Sequence, residues 1–203
     1  MKLIIPMGKT GTGKDTIARF ILDRSFILPI ISYTTRPIRH GEVDGREHWF
    51  ITDEEMNEIV SDQKSLLAYT KNKDTGYQYC ASLHGLDPDG TYVYIINPSA
   101  YLNMIKTHPD LETVVLFMDL PEYEIKKRTK LRGDKKDAVK KRLDEEREEF
   151  DSFKMRHFME NSDDTTDGVD LSKQRLYMIS SLNTRDEINR QVMEILHNIK
   201  FVK

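Results

Sequence analysis

The chain of 203 residues carries 31 Lys and Arg against 34 Asp and Glu, six His and one Cys, for a formal net charge of −3 with 38% hydrophobic residues. A chain of this length buries a core without staples, and the single Cys80 excludes an internal disulfide framework, so a reducing compartment is expected. The longest apolar runs, such as Phe26 to Ile31, fall far short of the ~18 residues of a membrane span, and the apolar stretch at the start is too short for a secretory signal; the expectation is a cytoplasmic protein with no membrane partner.

In chain order, Lys2 to Met7 reads as a buried strand and Gly8 to Gly13 as a glycine-rich turn. A helix is predicted from about Lys14 to Arg24, with Ile17, Ala18, Ile21 and Leu22 on one face. Leu28 to Tyr33 is a second short strand. Thr34 to Asn97 is irregular and rich in Thr, Gly, Tyr and charge, which suggests an inserted lobe. Inside it, Thr52-Asp53-Glu54-Glu55 starts a helix, capped by Thr52 or Asp53. Tyr92 to Ile96 and Thr113 to Met118 are β-branched apolar runs suited to central parallel strands. Each precedes a helical segment, Ser99 to Lys106 and Pro121 to Lys130, so the pattern is alternating β/α. A long charged helix is expected from Lys135 to Phe158 and a polar, mobile loop from Glu160 to Lys173. Leu176 to Ile179 and Arg185 to Ile199 complete the chain as a strand and an amphipathic helix.

The small net charge is a cancellation. Residues 126–142 hold ten basic and two acidic side chains, a local +8, whereas residues 143–170 hold eleven acidic and three basic ones, a local −8. Trp49 and Phe50 are expected to pack the inserted lobe, and Cys80 to fill space beside Tyr79. The histidines show no metal-ligand spacing.

Gly8-Lys9-Thr10-Gly11-Thr12-Gly13-Lys14-Asp15-Thr16 fits G-x-x-x-x-G-K, with Asp15 where Ser or Thr is usual. Glycines suit this turn because backbone N–H groups must point inward around a phosphate. Lys14 would neutralise the outer phosphates at the positive end of the following helix. Gly8, Gly11, Thr12, Gly13, Lys14, Asp15 and Thr16 are therefore the candidate ATP-binding residues, and Asp15 and Thr16 the candidate Mg²⁺ ligands.

From the residues alone, Arg36 and Arg39, three apart, suggest a second phosphate site, because guanidinium forks suit phosphate oxygens. The stretch Ser32-Tyr33-Thr34-Thr35-Arg36-Pro37-Ile38-Arg39-His40-Gly41-Glu42-Val43-Asp44-Gly45-Arg46-Glu47-His48-Trp49-Phe50 resembles the signature of guanylate kinases, S-x-T-T-R-x-x-R-x-G-E-x-x-G-x-x-Y-x-F. The resemblance implies an acceptor-nucleotide site that includes Ser32, Arg36, Arg39, Glu42, His48, Tyr79 and Asn97, with His48 where the family has its first tyrosine. Of the family's other guanine readers, a glutamate, a Ser or Thr and an aspartate, the aligned positions here hold Ala68, Ala81 and Asn97. The segment between Ala68 and Tyr79 is about two residues longer than the family pattern, which leaves Asp74 or Thr70 as a replacement acceptor.

Lys127-Arg128…Arg132-Gly133 and Lys141-Arg142-Leu143 resemble the family's lid, whose arginines close over the triphosphate. The resemblance thus adds Arg128, Arg132 and Arg142 to Lys14 as catalytic candidates. The family's Asn-Asp-Asp near the last strand corresponds here to the neighbourhood of Ser180-Ser181-Leu182-Asn183. The fold expected is an α/β P-loop kinase with a parallel core (1–33, 91–124 and 175–203), an acceptor-binding lobe (34–90) and a helical lid with the charged helix (125–174). The activity implied is ATP- and Mg²⁺-dependent phosphorylation of GMP or dGMP, with small nucleotides rather than nucleic acid as partners; monomer and homodimer stay open. Two alternatives remain at this point. One is a kinase of another deoxynucleoside monophosphate or a phosphorylated pentose, suggested by Asp15 and the altered base readers. The other is a catalytically silent interaction module.

Overall fold

The computed structural model describes the chain except for Ser25, His40, Lys73, Asp74, residues 160–164, 167, 168, 171 and 172, and Lys203. The elements run β1 (Lys2–Met7), α1 (Lys14–Leu22), β2 (Leu28–Pro29), β3 (Tyr33–Thr34), β4 (Trp49–Phe50), α2 (Asp53–Ser61), β5 (Leu66–Lys71) and β6 (Gln78–Ser82). They continue as β7 (Thr91–Val93), α3 (Pro98–Thr107), β8 (Glu112–Asp119), α4 (Glu122–Leu131), α5 (Lys136–Lys154), a π-helical turn (Met155–Met159), β9 (Thr165–Thr166), β10 (Val169–Asp170), β11 (Gln174–Ser180) and α6 (Arg185–Asn198).

Five strands form a parallel sheet in the order β11-β8-β1-β7-β2. Parallel strands need crossover connections, so helices fall on both faces and every central strand is apolar on both sides. Alternation along β1 divides the core. Leu3, Ile5 and Met7 face Tyr101, Met104 and Ile105 of α3 and Phe150 and Phe153 of α5. Ile4 belongs to the opposite cluster, with Ile17 and Ile21 of α1 and Ile188, Val192 and Leu196 of α6. A smaller cluster of Leu120, Ile125, Val139 and Leu143 joins α4 to α5.

The second sheet, β4-β3-β6-β5, is built by the inserted segment and carries α2. Thr52 is the cap of α2: its hydroxyl accepts from Glu55 N–H while Glu55 returns a bond to Thr52 N–H, a capping box. The single strand expected from Leu28 to Tyr33 is divided between the two sheets. Leu28–Pro29 takes the edge of the parallel sheet, where a proline without an N–H is tolerated, and Tyr33–Thr34 starts the second sheet. The run Tyr92 to Ile96 is a strand only through Val93. Its remainder leaves the ladder toward α3, whose cap is Asn97, accepting from Ala100 N–H at 3.1 Å.

The long charged helix reaches Lys154 in α geometry and continues as the π turn to Met159. Within the segment expected to be a polar loop, Thr165–Thr166 and Val169–Asp170 pair antiparallel; Asn161 and Gly168 lie outside the described residues. Trp49 departs from expectation: it is 42% exposed and lies across Gly45, where a Cβ would meet its ring at 2.7 Å. Phe50 does pack, with Arg36 5.2 Å above its ring. Cys80 is buried, and burial pushes its thiol up to about 11, so it is an inert space-filler. Among the described residues no helix is long and apolar enough to cross a membrane.

Candidate active site

The turn from Gly8 to Gly13 leaves the C-terminal end of β1 and enters α1 at Gly13, whose φ of +102° is a conformation that side chains disfavour. Gly8 is required by contact: a Cβ there would stand 2.7 Å from the Met118 carbonyl oxygen of β8. Thr12 closes the turn, its hydroxyl donating to Lys9 O at 2.7 Å. Around Gly13 no atom outside its chain neighbours lies within 4 Å of a built Cβ, so the turn is uncrowded at the entry to α1. Lys14 begins α1 and has one ion pair among the described residues, a 3.8 Å contact with Asp15. Asp15 and Thr16 are exposed on the first helical turn.

The acidic run of α5, which the sequence leaves without a role, holds this turn from the other side. Thr10 N–H donates to Glu146 Oε2 at 2.7 Å, and Lys9 pairs with Asp151 at 2.7 Å. Burial raises the Glu146 carboxyl above its ordinary value, while the Thr10 N–H and the nearby Lys14, Arg142 and Lys9 pull it back. Replacing Glu146 with Ala would leave the buried Thr10 N–H unpaired, at a cost of about 1–3 kcal/mol. Calorimetry should show the unfolding midpoint lowered by roughly 3–10 °C, and Glu146→Gln, which keeps an acceptor, should avoid most of that loss.

The second group of cations comes from the loop after β3. Arg36 is buried, and its guanidinium makes a two-pronged pair with Glu42, Nη1 to Oε2 and Nη2 to Oε1, both at 2.7 Å. Glu42 also accepts from Arg39 N–H at 2.8 Å. Both of its oxygens are occupied, so Glu42 orients the arginines. The hydrogen bond to Arg36 is the main reason its carboxyl falls to about 2. A carboxyl depressed in the folded state stabilises above its unfolded value and loses that contribution as pH falls through the folded one. Urea unfolding between about pH 5 and pH 2 should therefore show a loss of stability that Glu42→Gln flattens.

No hydrogen bond or ion pair holds the Arg39 guanidinium among the described residues. It loses proton affinity through burial and then through the neighbouring charges of Arg36 and Arg142. Three like charges thus converge on one space without a full set of anions. Ser32 Oγ and His48 Nδ1 share a 2.8 Å hydrogen bond, and the His48 ring meets Tyr79 edge-on at 5.8 Å. Burial, then Arg36, holds the His48 imidazole below its ordinary value. In the tautomer whose Nδ1 accepts from Ser32, the Nε2 proton is available to a ligand.

The lid arginines separate. Arg142 joins the cation cluster, as its effects on Arg39 and Glu146 show. Arg132 is paired with Asp134 and lies near enough to Asp15 to be influenced by it. Arg128 donates to the Ser181 carbonyl at the end of β11, tying α4 to the parallel sheet. Beside the cluster opens a cavity of about 840 Å³, bordered by β5, β6, α3 and α5 and lined in part by Ser32, His48, Tyr79 and Asn97.

A family model described as guanylate kinase matches residues 1–167. The chain belongs to the guanylate kinase family. It is 30% identical over 151 residues to a protein named guanylate kinase from Syntrophus aciditrophicus (strain SB), covering 72% of each chain. It is 32% identical over 153 residues to one from Gloeobacter violaceus, covering 73% of this chain and 74% of that protein. In fold it is similar to the crystal structure of guanylate kinase from Anaplasma phagocytophilum, with a TM-score of 0.61 at 15% identity over 98% of this chain and 85% of that one. Of the positions that the guanylate kinase resemblance aligns with base readers, Ala68 and Asn97 line the cavity. Ala68 and Ala81 are buried methyl groups, and Thr70, a candidate replacement acceptor, lines the cavity; Asp74, the other candidate, lies outside the described residues.

Proposed function

We propose that the protein is an ATP-dependent nucleoside monophosphate kinase that converts GMP or dGMP to the diphosphate. The observation that carries this reading is the glycine-rich turn that ends in Lys14 at the start of α1, with Arg36 oriented by Glu42 and with Arg39 and Arg142 close enough to influence one another. Such an arrangement suits two phosphate groups brought end to end. ATP would lie with its phosphates against the backbone of Gly8, Gly11, Thr12 and Gly13, at the positive end of α1 and under Lys14. Asp15 and Thr16 offer one carboxylate and one hydroxyl, exposed on the first turn, which suits Mg²⁺, an ion that takes one or two protein oxygens together with water and substrate phosphates. When bound, that ion supplies charge neutralisation on the transferring phosphates.

The acceptor phosphate would be gripped by Arg39, by the N–H groups that Arg36 keeps beyond Glu42, and by His48 and Tyr79, with the sugar and base in the cavity. An oxygen of that phosphate attacks the γ-phosphorus of ATP; the new O–P bond forms as the bond to the β-phosphate oxygen breaks, and ADP leaves. The attacking oxygen is already anionic, so no general base is required. Arg142 would stabilise the transferring group and Arg132 would join it on lid movement, whereas Arg128 acts through its bond to Ser181 by positioning α4. Accordingly the core comprises 1–33, 91–124 and 175–203, the acceptor lobe 34–90, and the lid and charged helix 125–174. The test is ADP release from ATP·Mg²⁺ across a panel of nucleoside monophosphates and ribose phosphates. GMP or dGMP should be the best acceptor; turnover with a ribose phosphate alone would overturn the reading.

A further inference from the structure

The acceptor cavity lacks the family's pattern of base readers, yet it is not without polar groups. On the β side Ala68 presents only a methyl group, Ala81 is fully buried behind the wall, and the Asn97 Oδ1 is engaged in capping α3. The opposite wall is α5, from which Glu145, Glu148 and Glu149 line the cavity. Two of these are already engaged: Glu149 accepts from Ser99 N–H at 2.8 Å, and Glu145 lies 3.7 Å from Lys141. Glu148 has no hydrogen bond or ion pair among the described residues, and neither does the side chain of Lys71, which lines the cavity from the end of β5. Tyr94 also lines it, is 5% exposed, and has no hydrogen bond on its hydroxyl among the described residues. A hydroxyl at a cavity wall without a protein partner is open to a ligand.

We propose that base selection in this protein has moved from the β strands to α5, with the Glu148 carboxylate receiving the N1–H and N2–H₂ donors of guanine, and with Lys71 and the Tyr94 hydroxyl facing its acceptor atoms. An ionised carboxylate only accepts, and it is satisfied best by two adjacent donors. Among the common bases only guanine presents that pair. Adenine and cytosine set a single amino group beside a ring nitrogen acceptor, and uracil and thymine flank one N–H with carbonyl oxygens, so each would turn a lone pair toward Glu148. A cation at Lys71 complements O6 and N7 of the same base.

This inference rests on the kinase reading above, and the comparison of GMP with IMP separates the two. IMP keeps the phosphate, ribose and O6 but lacks the 2-amino group. The wild-type protein should favour GMP over IMP in kcat/KM by about tenfold or more, as expected when a site built around a donor meets an analogue without it. Glu148→Gln should bring that ratio to within about threefold of unity by raising the KM for GMP, with the KM for ATP unchanged. Lys71→Met and Tyr94→Phe should lower kcat/KM for GMP and IMP alike and leave their ratio as in wild type. A Glu148→Gln protein that turns over GMP with an unaltered GMP/IMP ratio overturns the proposal, as does a wild type that uses both equally. A wild type that phosphorylates no nucleoside monophosphate overturns the kinase reading and this inference with it.

Discussion

Replacing Lys14 with alanine should lower phosphoryl transfer by about 10³-fold, the size of effect seen when one preorganised charge-stabilising donor is removed from a transition state. The structure makes this a clean experiment. Lys14 stands at the first position of α1, and its one ion pair among the described residues is the 3.8 Å contact with exposed Asp15. An exposed pair of that kind contributes about 0–1 kcal/mol, so the unfolding midpoint should stay within about 2–3 °C of wild type. The uncrowded turn at Gly13 and the α1 N–H groups would still attract phosphate, so ATP binding should weaken less than transfer. A coupled assay for ADP with GMP as acceptor, beside a calorimetric melt, gives both readouts. Retained turnover would place the transferring phosphate elsewhere.

Arg39→Ala should raise the KM for the acceptor by about 100-fold while changing the KM for ATP by less than about threefold, because the proposed mechanism assigns its guanidinium to the acceptor phosphate and a charged hydrogen-bonded partner contributes at that level. It differs here from Arg36. Arg36 is committed to Glu42 through two 2.7 Å bonds, so its removal would strand a carboxylate and disturb the loop. Arg39 has no such partner among the described residues and is disfavoured by the like charges of Arg36 and Arg142. Its removal relieves repulsion, and the midpoint of thermal unfolding should hold or rise. A loss of acceptor affinity with preserved stability marks a residue kept for its ligand. Equal increases in the two KM values would count against the assignment.

Much of the fold was legible because its signals are local. The glycine pattern around Lys14, the apolar runs at β1 and β8, the capping residues before α2 and the amphipathic spacing of α6 each encode backbone geometry within a few residues. The strand expected from Leu28 to Tyr33 is longer than either strand observed there because β-branched composition does not reveal where a chain changes sheets; Pro29 is the available cue. The acidic run of α5 carries no motif that assigns it a role in the sequence. Arg142, Glu146 and Glu149 are spaced as one helix face, and that spacing was the signal that a continuous surface of α5 turns toward the P-loop and α3.

What the sequence by itself determined is the kind of chemistry: a phosphate-binding turn at the end of a central strand, a second grip of arginines, and a basic lid whose charge the overall −3 conceals. Only the tertiary structure decided how those parts are used. It divided two arginines three residues apart into one held by Glu42 and one whose guanidinium has no ion pair among the described residues. It drew Arg128 to Ser181 across 53 positions and set Glu146 against Thr10 across 136. The physical reason is one of range. Backbone conformation and helix spacing are dictated by neighbours in the chain, but a charged side chain takes its role from whichever distant groups share its desolvated space.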